Sequence, residues 1–246
     1  MAPPPPPPPT FTGCWLSGGV GYGLFDQENT AFNTFGLIPA PGVFPVSTQL
    51  SATETNGGKG WLGRVGAGCD YQFSFFGNQQ WVIGGFADYD WTNLHGQVAE
   101  PWFGDVGNEN MNNQWAVGGR IGWVPFPNLM TFVSGGYTQA NFSGTVFTAQ
   151  FIPDLGVPTG VTRDGATHHG WFIGGGEEYA FTWLPVPGLF WKTEYRLSEF
   201  DHNLVAVRFA DGTGAYGVDS KTWVQTITTS LVWRFNFLGG GYGAHY

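Results

Sequence analysis

The sequence predicts an all-β protein: an eight-stranded antiparallel up-and-down transmembrane β-barrel with four long outer loops and three short periplasmic turns. Three observations carry this. First, the 246 residues are 17% aromatic but only 11% charged, whereas a soluble domain carries about 25% charged residues. So few charges cannot cover a water-soluble globule of this size. Second, eight runs of alternating polarity follow one another, and period-2 alternation argues strand. Third, the connections between runs alternate short and long, as membrane barrels require.

Other classes fall away on composition. No stretch of about 18 apolar residues is present, so no transmembrane helix is expected, and no heptads run through the chain. Nine Lys and Arg against 18 Asp and Glu, a net charge of −9, argue against a nucleic-acid partner. Two cysteines are too few for a disulfide framework.

In chain order, Met1 and Ala2 lead into Pro3 to Pro9. Residues 1–10 read as a polyproline II lead on the periplasmic side, unable to pair in a sheet. No basic-then-apolar leader opens the sequence; the expectation is an exported protein whose signal segment has been replaced by Met1. The runs are 14–25, 59–73, 80–94, 112–124, 129–142, 168–182, 188–202 and 220–237. Each exceeds the roughly 9–11 residues a tilted strand needs to cross a membrane. The connections 74–79, 125–128 and 183–187 are short; 26–58, 95–111, 143–167 and 203–219 are long. Both termini then fall on the periplasmic side. The barrel occupies 11–237, and 238–246 is a Gly-rich tail. An aromatic-x-x-Gly-Gly pattern recurs from Trp15, Trp81, Trp115 and Trp171, with a near copy from Phe132; its aromatic suits the headgroup region.

Splitting odd from even positions separates two faces. One is apolar and edged by aromatics, as in Trp61, Val65, Ala67 and Tyr71, or Trp115, Val117, Ile121 and Trp123. The other is small, polar and ionised. A soluble barrel would bury the apolar face, so here that face meets lipid and the polar face lines the lumen. The lumen then holds five cations, Arg64, Arg120, Lys192, Arg196 and Arg234, and five anions, Asp70, Asp88, Asp90, Glu178 and Glu194. Charges in a narrow lumen are costly unless paired, and eight strands leave room for little beyond side chains. A salt-bridge network that plugs the barrel is the expectation; hydration of several of these charges at the barrel ends is the alternative. Glu177 breaks the pattern, sharing a face with Trp171 and Ile173. Either it lies near an interface or a bulge shifts the register. The long loops hold most of the net negative charge, which would favour divalent cations bridging to lipopolysaccharide, or simply keep the loops soluble.

The remaining chemistry is sparse. Cys14 begins the first run and Cys69 ends near the base of the second; an oxidising periplasm permits a disulfide between them, and two unpaired lipid-facing thiols are the alternative. His95, His168, His169 and His202 map to outer strand ends. His95, His168 and His202 are candidate rim ligands for metal or haem, against a reading as scattered surface residues. Ser198, Asp201 and His202 are a local catalytic candidate, but adjacent residues face opposite sides of a strand, so no catalysis is expected. No metal site and no cofactor are expected.

The sequence resembles the small outer-membrane β-barrel proteins of Gram-negative bacteria, of the OmpA-like or porin-family type found in alphaproteobacteria. The resemblance rests on Thr12-Gly13 with Gly18 to Gly23, on Gly66 to Phe73, on Tyr137 to Ala140, on Trp191 to Arg196 and on the closing Trp233 to Phe237. It implies an outer-membrane location, a closed antiparallel barrel and a role in envelope integrity or surface interaction. Two departures are Cys14, where an aromatic is usual, and the tail beyond Phe237. The expected function is a structural or surface-interaction barrel with a plugged lumen. The alternatives are a small-solute or cation-selective porin and a surface protein that captures metal or haem. Outer-membrane lipid and lipopolysaccharide are the expected partners, and self-association into a homo-oligomer is open.

Overall fold

The computed structural model describes residues 9–34, 47–75, 77, 79–102, 104–150, 156–184 and 186–235. Most of the lead and the whole tail lie outside the described residues. Among the described residues eleven strands form: β1 (Gly13–Phe32), β2 (Glu54–Phe75), β3 (Gln79–Ala99), β4 (Val106–Phe126), β5 (Leu129–Phe142), β6 (Thr145–Thr148), β7 (Pro158–Arg163), β8 (Ala166–Ala180), β9 (Leu189–Phe200), β10 (Asn203–Arg208) and β11 (Gly214–Phe235). Through the membrane, β1, β2, β3, β4, β5, β8, β9 and β11 pair antiparallel in that order, and β11 closes on β1. This is the predicted ring of eight.

The register fixes the shape. From Tyr71 the directly opposed residues are Ile83, Ile121, Val133, Gly175, Tyr195, Ile227, Tyr22 and, back on β2, Trp61. The circuit returns ten residues higher (71 − 61), a shear of 10 for eight strands. That stagger tilts the strands by about 40°, so each residue climbs about 2.5 Å along the barrel axis. Outward aromatics recur at the same interval: Trp61 and Tyr71, Trp81 and Trp91, Trp223 and Trp233. Ten residues span about 25 Å, the height of the apolar band of an outer-membrane barrel. The band itself is exposed Leu16, Val20, Val65, Ile83, Val117, Ile121, Val133, Ile173, Ile227 and Leu231.

Much of what the sequence reads as outer loop is also sheet. Above the membrane the wall continues as a second closed ring of β1, β2, β3, β4, β6, β7, β10 and β11, because β6, β7 and β10 take over where β5, β8 and β9 end. At that junction four neighbouring strands change which parity faces inward: near 112 in β4, at 143–144, at 164–165 and at 201–202. An extra residue in each strand at one level bends the wall there. The alternation that marks the membrane strands is out of phase beyond it.

The repeated aromatic pattern is split, contrary to expectation. Trp81, Trp115 and Trp171 point outward, but Trp15 and Phe132 are buried in the lumen. Room comes from glycine: a Cβ on Gly68 would lie 2.6 Å from the Trp15 ring, and one on Gly118 would lie 2.8 Å from Phe172.

Cys14 and Cys69 are directly opposed on β1 and β2 and are disulfide-bonded on the outward face. A link across 55 residues stabilises by about 2–4 kcal/mol, chiefly by restricting the unfolded chain. Replacing both cysteines by serine is expected to lower the unfolding free energy of the refolded barrel, read from urea titration, by that amount, while gel mobility of the folded form stays unchanged.

Candidate functional site

The site is the lumen. All ten side chains that alternation assigns to it point inward and are at most 8% exposed. They form two layers, each neutral.

The periplasmic layer takes one charge from every second strand of the ring: Asp70 on β2, Arg120 on β4, Glu178 on β8 and Arg234 on β11. Arg120 donates from Nε to Asp70 at 2.9 Å and from Nη1 to Glu178 at 3.2 Å. Arg234 donates to Glu178 and to Asp70, both at 2.7 Å. Each cation thus holds both anions. Phe11 caps this layer from below: its carbonyl accepts from Arg234 at 2.8 Å and its ring packs on Phe190 at 5.3 Å.

The second layer joins β2, β3 and β9. Arg64 grips Asp90 with two bonds of 2.6 and 2.7 Å, and Arg196 grips Asp88 at 2.9 and 2.8 Å. Planar guanidinium and carboxylate groups match in this bidentate geometry. Glu194 is the hub, taking Arg196 at 3.1 Å, Arg64 at 3.4 Å, the Ser134 hydroxyl at 3.1 Å and Lys192 at 3.6 Å. The layers are stitched by rings. Arg120 and Lys192 lie 4.8 and 5.1 Å from the Trp15 centroid, and Arg196 lies 4.3 Å from that of Phe172.

Apolar clusters fill the rest. Trp15, Val82, Phe86, Phe132, Phe172 and Phe190 pack around the two layers. Phe25, Leu62, Leu94, Met111, Phe142 and Phe200 close the lumen above them. Ala31, Phe147, Val207, Tyr216 and Val218 fill the outer ring. The polar face is therefore more aromatic than its reading as small, polar and ionised; the Gly-Gly pairs that make sockets for these rings were the available signal.

One ionic contact lies higher still and corrects the reading of the loops as a solvated acidic rim. Glu109 on β4 pairs with Arg163 on β7, and Glu100 and Asp105 are buried beside this level. Arg163 also donates to Gln27 and Asn29 on β1, both at 3.3 Å. Glu109 Oε2 has no donor. Burial pushes the Glu109 carboxyl above its ordinary 4.5, with Arg163 pulling it the other way.

The candidate rim histidines are not brought together. His95 is exposed on β3, with Nδ1 3.2 Å from the Asn93 carbonyl oxygen. His168 is buried in the lumen against Phe142 and Phe200. His202 is outside, 2.9 Å from Asp219. Among the described residues no group of three or more His, Cys, Asp or Glu is placed to hold a metal. Ser198 faces the lumen and accepts from Gln114 at 2.9 Å, remote from outward His202.

A closed antiparallel barrel, apolar outside and ion-paired inside, is built for a bilayer in which every backbone group must be satisfied within the protein. The chain is an integral outer-membrane β-barrel. No protein-family model and no curated protein matches it. Among solved structures it is similar to the outer membrane protein OprG of Pseudomonas aeruginosa, at 10% identity over 92% of this chain and 99% of that one, TM-score 0.45. It is similar to the outer membrane protein AlkL in lipid bilayers, at 11% identity over 96% and 97%, TM-score 0.44. It is also similar to Ail, the attachment invasion locus protein of Yersinia pestis, at 11% over 89% and 99%, TM-score 0.33.

Two outcomes are expected. Arg234→Ala leaves two buried carboxylates, Asp70 and Glu178, sharing the single cation Arg120 and should cost about 3–5 kcal/mol in urea unfolding, since removing one partner leaves uncompensated charge. A carboxyl raised by folding favours the folded state at low pH and disfavours it as pH rises through the raised value. Stability of the outer ring should therefore fall as pH climbs from about 4.5, and Glu109→Gln should flatten that slope in hydrogen exchange of β6 and β7.

Proposed function

We propose that this barrel is a structural and surface-interaction component of the outer membrane whose lumen does not conduct. The observation that carries this is the filling of the described lumen from end to end: two neutral ionic layers and a third buried pair, interleaved with three apolar clusters. Ion passage would require breaking bidentate pairs among closely packed apolar side chains. In this reading the apolar band fixes the depth, the ion pairs hold the wall rigid, and the outer ring presents a stiff surface. Outward Asp26 and Glu28, above the outer aromatics, face the headgroup level of the outer leaflet; divalent cations bridging them to lipopolysaccharide are part of the proposal.

Planar-bilayer recording of the refolded protein tests it. The native protein should give no reproducible steps, and Arg120→Ala with Arg196→Ala should give steps and a lower urea midpoint. Steady cation-selective steps from the native protein would overturn the reading in favour of a small-solute channel. Unchanged stability and conductance in the double variant would remove the ion network from its mechanism.

A further inference from the structure

Glu177 is the one acidic or basic side chain among the described outward positions between the two aromatic rows. The sequence left two explanations, a bulge or an interface level. The bulge is absent: β8 runs in unbroken register with β5 and with β9, and Glu177 is exposed on the face of Trp171, Ile173 and Tyr179. Depth follows from counting. Glu177 is six residues below Trp171 (177 − 171) and two above Tyr179 (179 − 177), the next outward aromatic on its strand. At about 2.5 Å per residue it sits about 15 Å below the first and about 5 Å above the second, in the periplasmic half of the apolar band. A carboxyl group there is costly and marks a functional surface. Among the described residues it has no hydrogen-bond or ion-pair partner.

The surroundings show what would satisfy it. Glu177 is the centre of a row of outward polar side chains on four adjoining strands: Thr131 on β5, Glu177, Thr193 on β9 and Thr229 on β11. Thr193 Oγ1 accepts from Trp191 Nε1 at 3.3 Å, which leaves its own hydroxyl proton to donate. The wall beside the row is low. Gly175, the next outward residue, leaves room for a side chain it lacks, and nothing lies within 4 Å of a Cβ on Gly18. A shallow, almost wholly apolar depression of about 360 Å³ lined by Gly18, Val20, Trp191, Thr229 and Leu231 adjoins the row. Hydrocarbon chains offer no donor. A second copy of this same wall offers donor and acceptor at depths that differ by about 3 Å, and small residues allow two walls to approach closely.

We propose that the wall of β5, β8, β9 and β11 is the surface on which two copies of this chain associate, with Glu177 of each accepting a hydrogen bond from the partner's Thr193. The row is self-complementary: a two-fold axis along the membrane normal between β8 and β9 sets acceptor against donor twice. The band elsewhere carries no outward charge among the described residues, so this wall is singled out.

The test is single-molecule photobleaching of dye-labelled, full-length protein refolded into phospholipid vesicles over a series of lipid dilutions. The native protein should bleach in two steps. Glu177→Leu should shift the balance to single steps, weakening association about tenfold, in line with one or two interhelix-strength hydrogen bonds in lipid. Glu177→Gln, which still accepts, should pair as the native protein does. Thr193→Val should weaken association, and adding it to Glu177→Leu should weaken it no further. Unchanged heat-shifted gel mobility shows that each variant has folded, and Glu177→Leu should be as stable as the native barrel or more so. Single-step bleaching of the native protein at every dilution overturns the proposal, and so does pairing by Glu177→Leu equal to that of the native chain.

Discussion

A charge that leaves water must find its opposite, and in this barrel that requirement binds the wall together. The periplasmic layer draws Asp70, Arg120, Glu178 and Arg234 from every second strand of the ring. Four residues on alternate strands meet at one height only if the register is staggered to bring them there, and a shear of ten does so. The dependence runs both ways. A slip of one residue in any strand would turn its whole inward set toward lipid and leave buried charge unmatched. The ion pairs therefore contribute less as net stabilisation, which buried pairs seldom supply, than as a penalty on every other register.

Glycine and aromatic residues make the same argument in shape. Eight strands enclose too little space for two ionic layers and a dozen large rings unless the wall itself gives way. Gly68 gives way to Trp15, and Gly118 and Gly136 to Phe172. The rings then cover the guanidinium faces that carboxylates leave free, and a cation over a ring is worth most where it is desolvated. Apolar packing and charge pairing thus occupy the same volume.

The legible part of the sequence was what period-2 alternation and charge parity control. Eight crossing strands, the lipid face and the ten inward charges all follow from one rule, that outside meets hydrocarbon and inside does not. The rule fails where it ceases to apply. Beyond the outer aromatics both faces of the wall tolerate polar residues, so β6, β7 and β10 gave no contrast, and the parity change at 143–144, 164–165 and 201–202 erased what remained. Arg163 and Glu109 were hidden for that reason: they are inward, but only after the change of phase. Trp15 was misplaced because tryptophan suits both a headgroup and a cation; what decides is parity with Ser17 and opposition to Gly68, a pairing that only the β1–β2 register supplies.

Glu177 and Glu178 put the same chemistry on opposite sides of one wall. Glu178 faces inward and is held by two arginines; Glu177, one residue before it, faces hydrocarbon with threonines on either side. No backbone strain forces the outward carboxyl, since the ladder is regular on both edges. Nor does folding of the single barrel gain from it, because an apolar residue would sit there at lower cost. The proposed association gives this outward carboxyl the partner that the single barrel does not supply. In the association we propose, the requirement that pairs the ten inward charges within the chain extends, at this one position, to a second copy of it.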